Sequence, residues 1–410
     1  MRARTILLAS LVGAALEAPP VAAQLAIRGE TVHTMAGPPL RDGVVLIDAS
    51  GRIERVGPAG EVRVPRGYRT LRARVVTPGL VDAHSVVGLA GYLNQPHDQD
   101  QLETSDPIQP ELRAVDAYNA GERLIEWVRG FGVTTLHTGH GPGALVSGQT
   151  MVVKTHGATL GEALVDSATM VAMTLGPEVS QTFSGKSPGT RAKGVAMLRA
   201  ELVKAQEYRE KLRAGASDST KRPARDLGLE VLVRVLDGEL PALVTAHRAT
   251  EILAALRLQK EFGFRLVLDG AAESYLVADE IRAAGVPVIL HPTMVRHGGT
   301  TENATLETAR RLKDAGITVA LQSGYEGYVP KTRVVLFEAA MAAANGLSFQ
   351  EALATITIDA ARVIGQDRRI GSLEAGKDGD VALFDGDPFE HTTHVCGVVI
   401  RGRVVSETCR

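Results

Sequence analysis

Three histidines in this sequence each close a run of apolar residues. His84 ends the run VVTPGLVDAH, His247 ends LPALVTAH and His291 ends VPVILH. Imidazole nitrogens are common zinc ligands, and three of them with one water complete a catalytic zinc site. The three side chains could hold zinc if they converge. Isolated histidines are more often hydrogen-bonded to the backbone or exposed in loops, and the sequence leaves both possibilities open.

A lysine and an aspartate suggest a second kind of chemistry. Lys154 lies in the run TMVVKTH and Asp269 in FRLVLDG. A lysine–carboxylate pair in a cleft could transfer protons without a metal, although such pairs are also common as structural features. The candidate catalytic residues are therefore His84, His247, Lys154, Asp269 and His291, and the candidate metal ligands among them are His84 and His247.

These residues lie on an alternation of apolar runs and helical stretches. Eight runs separated by segments with helical spacing predict an α/β fold, a (β/α)8 barrel whose active site lies at the carboxyl ends of the strands. A doubly wound open sheet is the alternative. The runs cover residues 74–84, 132–138, 150–156, 168–176, 240–247, 264–270, 286–291 and 317–324.

Two regions, one following residue 24 and one near the C-terminus, have sequences typical of β structure. GVVLIDASGRIERVG and HVCGVVIRGRVVS each contain two short apolar runs around a turn, the pattern of a hairpin. Within the alternating region, residues 191–228 differ because they read as a long charged helix followed by a Gly/Ala/Ser-rich stretch. We expect this segment to be a solvated insertion.

Four motifs together resemble the amidohydrolase superfamily, in particular its secreted, imidazolonepropionase-like branch. The resemblance covers nearly all of the mature chain. It implies a barrel over 75–367 and a small composite β-sandwich domain built from 24–74 and 368–410. It also implies hydrolysis of C–N bonds in amides, ring amides or dipeptide-like substrates with one or two divalent metals. The motifs are VVTPGLVDAH, LPALVTAHRATEILAALRLQKEFGFRLVLDG, AGITVALQSG and IGSLEAGKDGDVALFDGDPF.

The metal ligands that this resemblance implies are only partly present. The family pattern has two histidines on strand one, often a carboxylated lysine on strand four, a histidine each on strands five and six, and an aspartate on strand eight. His84 and His247 match it. The second strand-one position is Val86, the fourth run has no lysine, and Gly270 and Gly324 stand near the remaining two positions. Two of the six expected positions are retained.

The ligand set leads to two functional hypotheses. One is a hydrolase of the family with a depleted metal site and impaired catalysis, holding no metal or a weakly bound divalent ion, zinc in the first place. The other is a non-catalytic subunit that binds a small amide-like ligand or supports an intact amidohydrolase paralogue. A homodimer is the default assembly.

Composition and the chain ends set further bounds. A net charge of −2 gives no indication of nucleic-acid binding, and no run is long enough for a membrane-spanning helix. Residues 1–23 combine a basic start, an apolar stretch and small residues at the end, which predicts a signal peptide cleaved near Ala23 and Gln24 and hence a periplasmic or secreted protein. Cys396 and Cys409 could pair, but the sequence does not fix their register.

Overall fold

The structure is a computed structural model that describes residues 24–291, 298–324 and 334–409. The predicted signal peptide lies outside these ranges. Within them, no helix has both the length and the apolar character needed to cross a bilayer.

One seven-stranded sheet combines strands from both ends of the chain. Its order is β17-β16-β15-β4-β1-β2-β3, with β1 between antiparallel β2 and parallel β4. The predicted composite β domain is therefore confirmed, whereas its limits at 74/75 and 367/368 stay predictions. The strands are β1 Leu25–Val32, β2 Leu40–Ile47, β3 Ile53–Pro58, β4 Arg69–Pro78, β15 Val381–Phe384, β16 Val395–Ile400 and β17 Arg403–Ser406.

This sheet curls so that its β3 edge contacts the segment that leads into β15. The Ile53 N–H donates to the carbonyl of Lys377 at 2.9 Å, and the Gly379 N–H donates to the carbonyl of Gly51 at 2.8 Å. Gly51 has φ +80°, and a Cβ there would overlap the carbonyl of Arg401. Glycine at this position therefore allows the close approach that gives the domain its sandwich form. Near the chain end, Cys396 and Cys409 form a disulfide.

All eight predicted barrel runs contain strands, in two sheets. A four-stranded sheet has the order β5-β6-β8-β9 and a six-stranded sheet the order β14-β13-β12-β11-β10-β7. The strands are β5 Leu80–Ser85, β6 Val133–Thr138, β7 Val146–Gln149, β8 Met151–Lys154, β9 Leu164–Asp166, β10 Val171–Thr174, β11 Ala242–Ala246, β12 Leu266–Gly270, β13 Val288–Leu290 and β14 Val319–Leu321.

Hydrogen bonds connect these two sheets on both sides, although they do not merge into one uninterrupted sheet. On one side the Thr150 N–H donates to Met170 O at 2.9 Å and Thr169 N–H to Thr150 O at 2.8 Å. On the other side Ser85 and Gly324 form a parallel bridge. The α/β barrel class is confirmed in this form.

The third run departs from the all-parallel pattern of a (β/α)8 barrel. Strands β7 and β8 run antiparallel to their neighbours β10 and β6. The reason is the connection: only residues 139–145 separate β6 from β7. A parallel crossover needs a dozen or more residues, whereas seven suffice to reverse the chain.

Helices surround the strands and close the base of the barrel. The long charged helix predicted within 191–228 is α4, which packs against α5 and α6. The helices are α1 Arg123–Arg129, α2 Leu160–Ala163, α3 Pro177–Thr182, α4 Arg191–Ser217, α5 Leu227–Leu236, α6 Ala249–Phe262, α7 Ala278–Ala284, α8 Thr308–Asp314, α9 Val335–Ala344, α10 Phe349–Thr355 and α11 Ile358–Val363.

An apolar layer fills the barrel interior and supports the residues above it. Leu243 and Val267 from β11 and β12 belong to this buried cluster, as do Ala360 and Ala361 of α11 beneath the strands. Side chains two residues apart on a strand point to the same face. Thr245 and Asp269 therefore project into the barrel immediately above the apolar layer.

Lys154 does not pair with Asp269, the partner that the sequence suggested. Its Nζ bonds to Asp380 Oδ2 at 2.5 Å and to Thr135 Oγ1 at 3.0 Å, and its side chain is fully buried. The predicted Lys154–Asp269 pair does not form. Because β8 runs antiparallel, Lys154 at its end lies at the face opposite the carboxyl ends of β10 to β14, where it ties the barrel to the composite sheet.

Removal of this lysine tests the connection. We expect Lys154→Met to cost about 3–5 kcal/mol of unfolding free energy, because it leaves the Asp380 carboxylate buried without its cation. Urea denaturation measures the loss. The matched control is Lys204→Met on α4, whose lysine forms an exposed ion pair with Glu201 and should contribute less than about 0.5 kcal/mol. Equal losses for the two variants would contradict the proposed connection.

Candidate functional site

A buried carboxylate stands at the centre of the barrel, where the strand ends converge. Asp269 has no solvent exposure and accepts three hydrogen bonds. Its Oδ1 lies 3.0 Å from His84 Nδ1 and 2.6 Å from Gln322 Nε2, and its Oδ2 lies 2.6 Å from Thr245 Oγ1. We call these four residues the Asp269 network. It joins β5, β11 and β12 to the residue that follows β14.

His84 and Asp269 shift each other's pKa in opposite directions. Burial acts to raise the pKa of Asp269, but the adjacent His84 charge, the hydrogen bonds from His84 and Thr245, and the nearby His247 together lower it below the ordinary value. Burial acts in the opposite direction on His84, and the Asp269 carboxylate, Asp82 and a hydrogen bond to the His140 carbonyl together raise the pKa of the imidazole. The contact between the two side chains thus lowers the pKa of Asp269 and raises the pKa of His84.

A second buried carboxyl group, on β5, bonds to the residues that follow β14. Asp82 accepts from the Ser323 N–H at 3.1 Å and from the Ser323 hydroxyl at 2.5 Å. Burial raises the pKa of Asp82 to about 7, although these hydrogen bonds and His84 oppose the rise. Gly324 follows with φ +103° and bridges Ser85. The expected strand-eight aspartate is thus replaced by backbone and hydroxyl groups that fasten strand one.

The strand-five histidine fills the space that a strand-six histidine would need. A Cβ built on Gly270 would lie 2.6 Å from His247 Cε1 and 3.1 Å from each ring nitrogen. Gly270 also has φ +73°, where L residues are strained. The backbone N–H of His247 donates to Glu251 Oε2 at 3.2 Å. Position 270 therefore requires glycine as long as the His247 ring stays there.

Positions 291 and 86 are occupied by buried residues whose backbone groups form hydrogen bonds. His291 is buried after β13, and its N–H donates to Gly270 O at 3.0 Å. Val86 is fully buried, and its carbonyl accepts from the N–H groups of Leu89 and Ala90, so it begins a turn. Within residues 24–291, 298–324 and 334–409, no group of three or more His, Cys, Asp or Glu side chains could hold a metal ion.

Two further histidines, on β6 and just after it, lie near this site, and their environments differ. His137 donates from Nδ1 to Ala83 O at 2.6 Å, and its Nε2 lies 2.6 Å from Thr150 Oγ1. Burial, with the neighbouring His84 charge, lowers the pKa of His137 to about 3. Burial alone lowers the pKa of His140 to about 4, and neither of its ring nitrogens has a hydrogen-bond partner in the described part of the chain.

The sequence predicted His84, His247 and Asp269 as site residues, but it did not predict the residues that contact them. Thr245 stands two residues before His247 and Asp82 two residues before His84, so strand alternation could have placed both on inward positions. Gln322 and Ser323 directly follow the apolar run of β14. Short polar residues at strand ends are common, and only their convergence distinguishes these four.

Comparisons with known proteins agree with this architecture. The model of the amidohydrolase family named Amidohydro_3 matches residues 242–406. An imidazolonepropionase from Rhizorhabdus wittichii is 28% identical over 393 residues, covering 87% of this chain and 92% of the relative. The amidohydrolase tasK of Hapsidospora irregularis is 24% identical over 82% of this chain, which spans only 37% of that relative.

A solved amidohydrolase from Thermotoga maritima has a TM-score of 0.88 and 28% identity, covering 93% of this chain and 100% of its own. A putative prolidase from Bifidobacterium longum, at 18% identity and a TM-score of 0.58, shares the fold. The barrel and the composite sheet of this chain thus have the architecture of these two solved proteins. The chain is thus similar to amidohydrolases over most of its length.

Metal dependence is usual in this superfamily, but the residues described here do not fit a metal centre of the usual kind. The Nδ1 atom of His84 is committed to Asp269, and the Asp269 oxygens already accept three donors. The glycine at 270 and the bridge at 324 offer no ligand atoms. No reaction step through a metal is therefore derived for these residues.

The steric relation between positions 247 and 270 can be measured. We expect Gly270→Ala to cost about 2–4 kcal/mol, because strain at positive φ of about 1 kcal/mol adds to overlap with the His247 ring. Gly285→Ala is the matched control, since Gly285 has φ +64° with nothing within 4 Å of its Cβ position. Chemical denaturation of both variants separates the two contributions. Identical losses would mean that the ring moves aside at no cost.

The buried neutral histidines predict acid sensitivity. A histidine whose folded pKa lies near 4 takes up its proton only on unfolding between pH 6.5 and 4, so stability falls as the pH falls through that window. His140→Leu should remove about 2 kcal/mol of the stability lost by pH 5, at 1.36 kcal/mol for each pKa unit. Urea midpoints at pH 7 and pH 5 measure the difference. Parallel profiles for the variant and the natural chain would exclude this cause.

Proposed function

We propose that this chain is an amidohydrolase-superfamily protein whose metal-dependent hydrolysis of C–N bonds is impaired. The observation that carries the proposal is the environment of Asp269, which is fully buried and satisfied by His84, Thr245 and Gln322. A catalytic zinc needs about three protein ligands and one open position for water. Here the corresponding space contains hydrogen-bonded protein groups.

Chemistry and sterics both support this proposal. The buried contact between His84 and Asp269 engages the carboxylate that would otherwise be available to a metal ion. Because His84 Nδ1 bonds to Asp269, a divalent ion could bind His84 only at Nε2, in competition with a proton on that nitrogen. At position 270, the His247 ring excludes any larger side chain that could add a ligand.

The function that remains is ligand binding or support of an intact partner chain. The small molecule would resemble the amide-like substrates of the superfamily, since the barrel mouth is built on the same fold. An intact amidohydrolase paralogue is the partner class that would supply the missing catalytic groups. The amino-acid sequence alone raised both roles, and neither depends on a metal at the barrel centre.

One contact favours the competing proposal, a hydrolase with a weakly held divalent metal. Metal-binding histidines commonly donate their second ring N–H to a carboxylate, as His84 does to Asp269. His84, His247 and His291 would then be the ligands to examine, with zinc as the first metal. The proposal requires His84 to bind through Nε2, the nitrogen not bonded to Asp269.

Metal content separates the two proposals. We expect the protein, purified without chelator and dialysed against metal-free buffer, to contain far less than one zinc, manganese or iron per chain by elemental analysis. A zinc enzyme such as carbonic anhydrase, carried through the same procedure, confirms that bound zinc survives it. Near-stoichiometric metal that is lost in the His84→Ala and His247→Ala variants would overturn the proposal. That result would favour the competing proposal of a metal-dependent hydrolase.

A further inference from the structure

A cleft outside the barrel centre combines apolar walls with several guanidinium groups. It has a volume of about 710 Å³ and lies between α3, the start of α4 and α6, next to the carboxyl ends of β10 and β11. Its apolar walls include Val179, Pro188, Val195 and Ala254. No member of the Asp269 network lines it. Clefts of this size with apolar walls and a few polar groups are typical of small-molecule sites.

The charges that line this cleft are predominantly positive. Arg191, Arg199 and Arg257 border it, with Glu251 as the acidic lining residue. Arg191 Nε bonds to Glu251 Oε1 at 2.7 Å. Arg199 Nε bonds to both carboxylate oxygens of Glu261, at 2.8 and 3.0 Å.

Two of the three arginines are therefore partly neutralised, but the third is not. Arg257 lies on the exposed side of α6, and it forms no hydrogen bond or ion pair with any residue in the described ranges. An anion entering the cleft would find this guanidinium available without first breaking an internal ion pair. The adjoining apolar wall, including Ala254 one turn earlier on α6, suits a hydrocarbon group next to that anion.

Glu251 bonds to the start of α6 and to Arg191, and so connects two sides of the cleft. Its side chain is 2% exposed, and its Oε2 accepts from the N–H groups of His247 and Arg248 at 3.2 and 3.0 Å. Through its other oxygen it holds Arg191 at the border of the cleft. The first turn of α6 and the guanidinium of Arg191 thus keep their positions before any ligand binds, which reduces the ordering cost of binding.

We propose that this cleft binds an amphipathic organic anion, a carboxylate joined to an apolar body, with the carboxylate against Arg257 and Arg191. Arginine suits this role because its planar guanidinium pairs with both oxygens of a carboxylate. The apolar body lies between Val179, Val195 and Ala254. The site is independent of the barrel centre and of whether any metal binds there.

Isothermal titration calorimetry of the full chain with decanoate tests the proposal. Decanoate combines a carboxylate with an apolar chain, and decyltrimethylammonium offers a chain of the same length with the opposite charge. We expect saturable binding of decanoate and none of the cation at the same concentrations. Arg257→Gln should weaken decanoate binding by about tenfold or more, the usual effect of losing one charge-assisted hydrogen bond.

Two further variants make the experiment specific. Arg66→Gln removes the same charge at an exposed arginine of the composite domain that has no ion pair among the described residues, and it should bind decanoate as the natural chain does. Ala254→Trp fills the cleft and should abolish binding, and its thermal midpoint shows whether it remains folded. Absence of decanoate binding, equal binding of the cation, or equal affinities of Arg257→Gln and Arg66→Gln would each overturn the proposal.

Discussion

A carboxylate buried at the centre of a barrel has to be supplied with donors and with positive charge, and the arrangement of the strand ends follows from that requirement. Asp269 is contacted by an imidazole from strand β5, a hydroxyl from β11 and an amide from the residue after β14. Each donor comes from a different segment, so the segments cannot shift independently without exposing an unpaired charge. Hydrogen bonds to this carboxylate hold the strand ends together, and apolar packing holds the barrel interior together.

At the opposite face of the barrel, the buried charged group is a cation, and carboxylates compensate its charge. There the buried cation is Lys154, and its carboxylates come from the connection between the barrel and the composite sheet. Its position depends on strand direction, because a residue at the end of an antiparallel strand lies at the face opposite to that of its parallel neighbours. Two buried ion pairs thus stand at the two ends of the barrel, one holding strands to each other and one holding the domains together.

Much of this architecture could be predicted because apolar runs and turn residues are local signals. The eight runs, the β-rich chain ends and the long charged helix were all recognisable from periodicity. The antiparallel third strand was missed, although the seven residues between β6 and β7 are too few for a crossover.

At the site, sequence could show that histidines and an aspartate were absent at positions 86, 270 and 324. It could not show that Lys154 bonds to Asp380 or that Asp269 bonds to Thr245 and Gln322, because those contacts depend on how distant segments converge. The cleft beside α4 and α6 was hidden for the same reason, since its arginines lie on two helices separated by some sixty residues.

The contact between the His247 ring and Gly270 also constrains how this protein can change. A histidine at 270 is incompatible with the present ring position, and a displaced ring gains no ligand while 270 is glycine. Gly270→His is therefore unfavourable in the present chain and becomes tolerable only after another change has moved the His247 ring, so its effect depends on the background in which it occurs. A centre with four histidines could therefore be reached only through a variant that is less stable than the present chain. The present packing of His247 against Gly270 opposes that change.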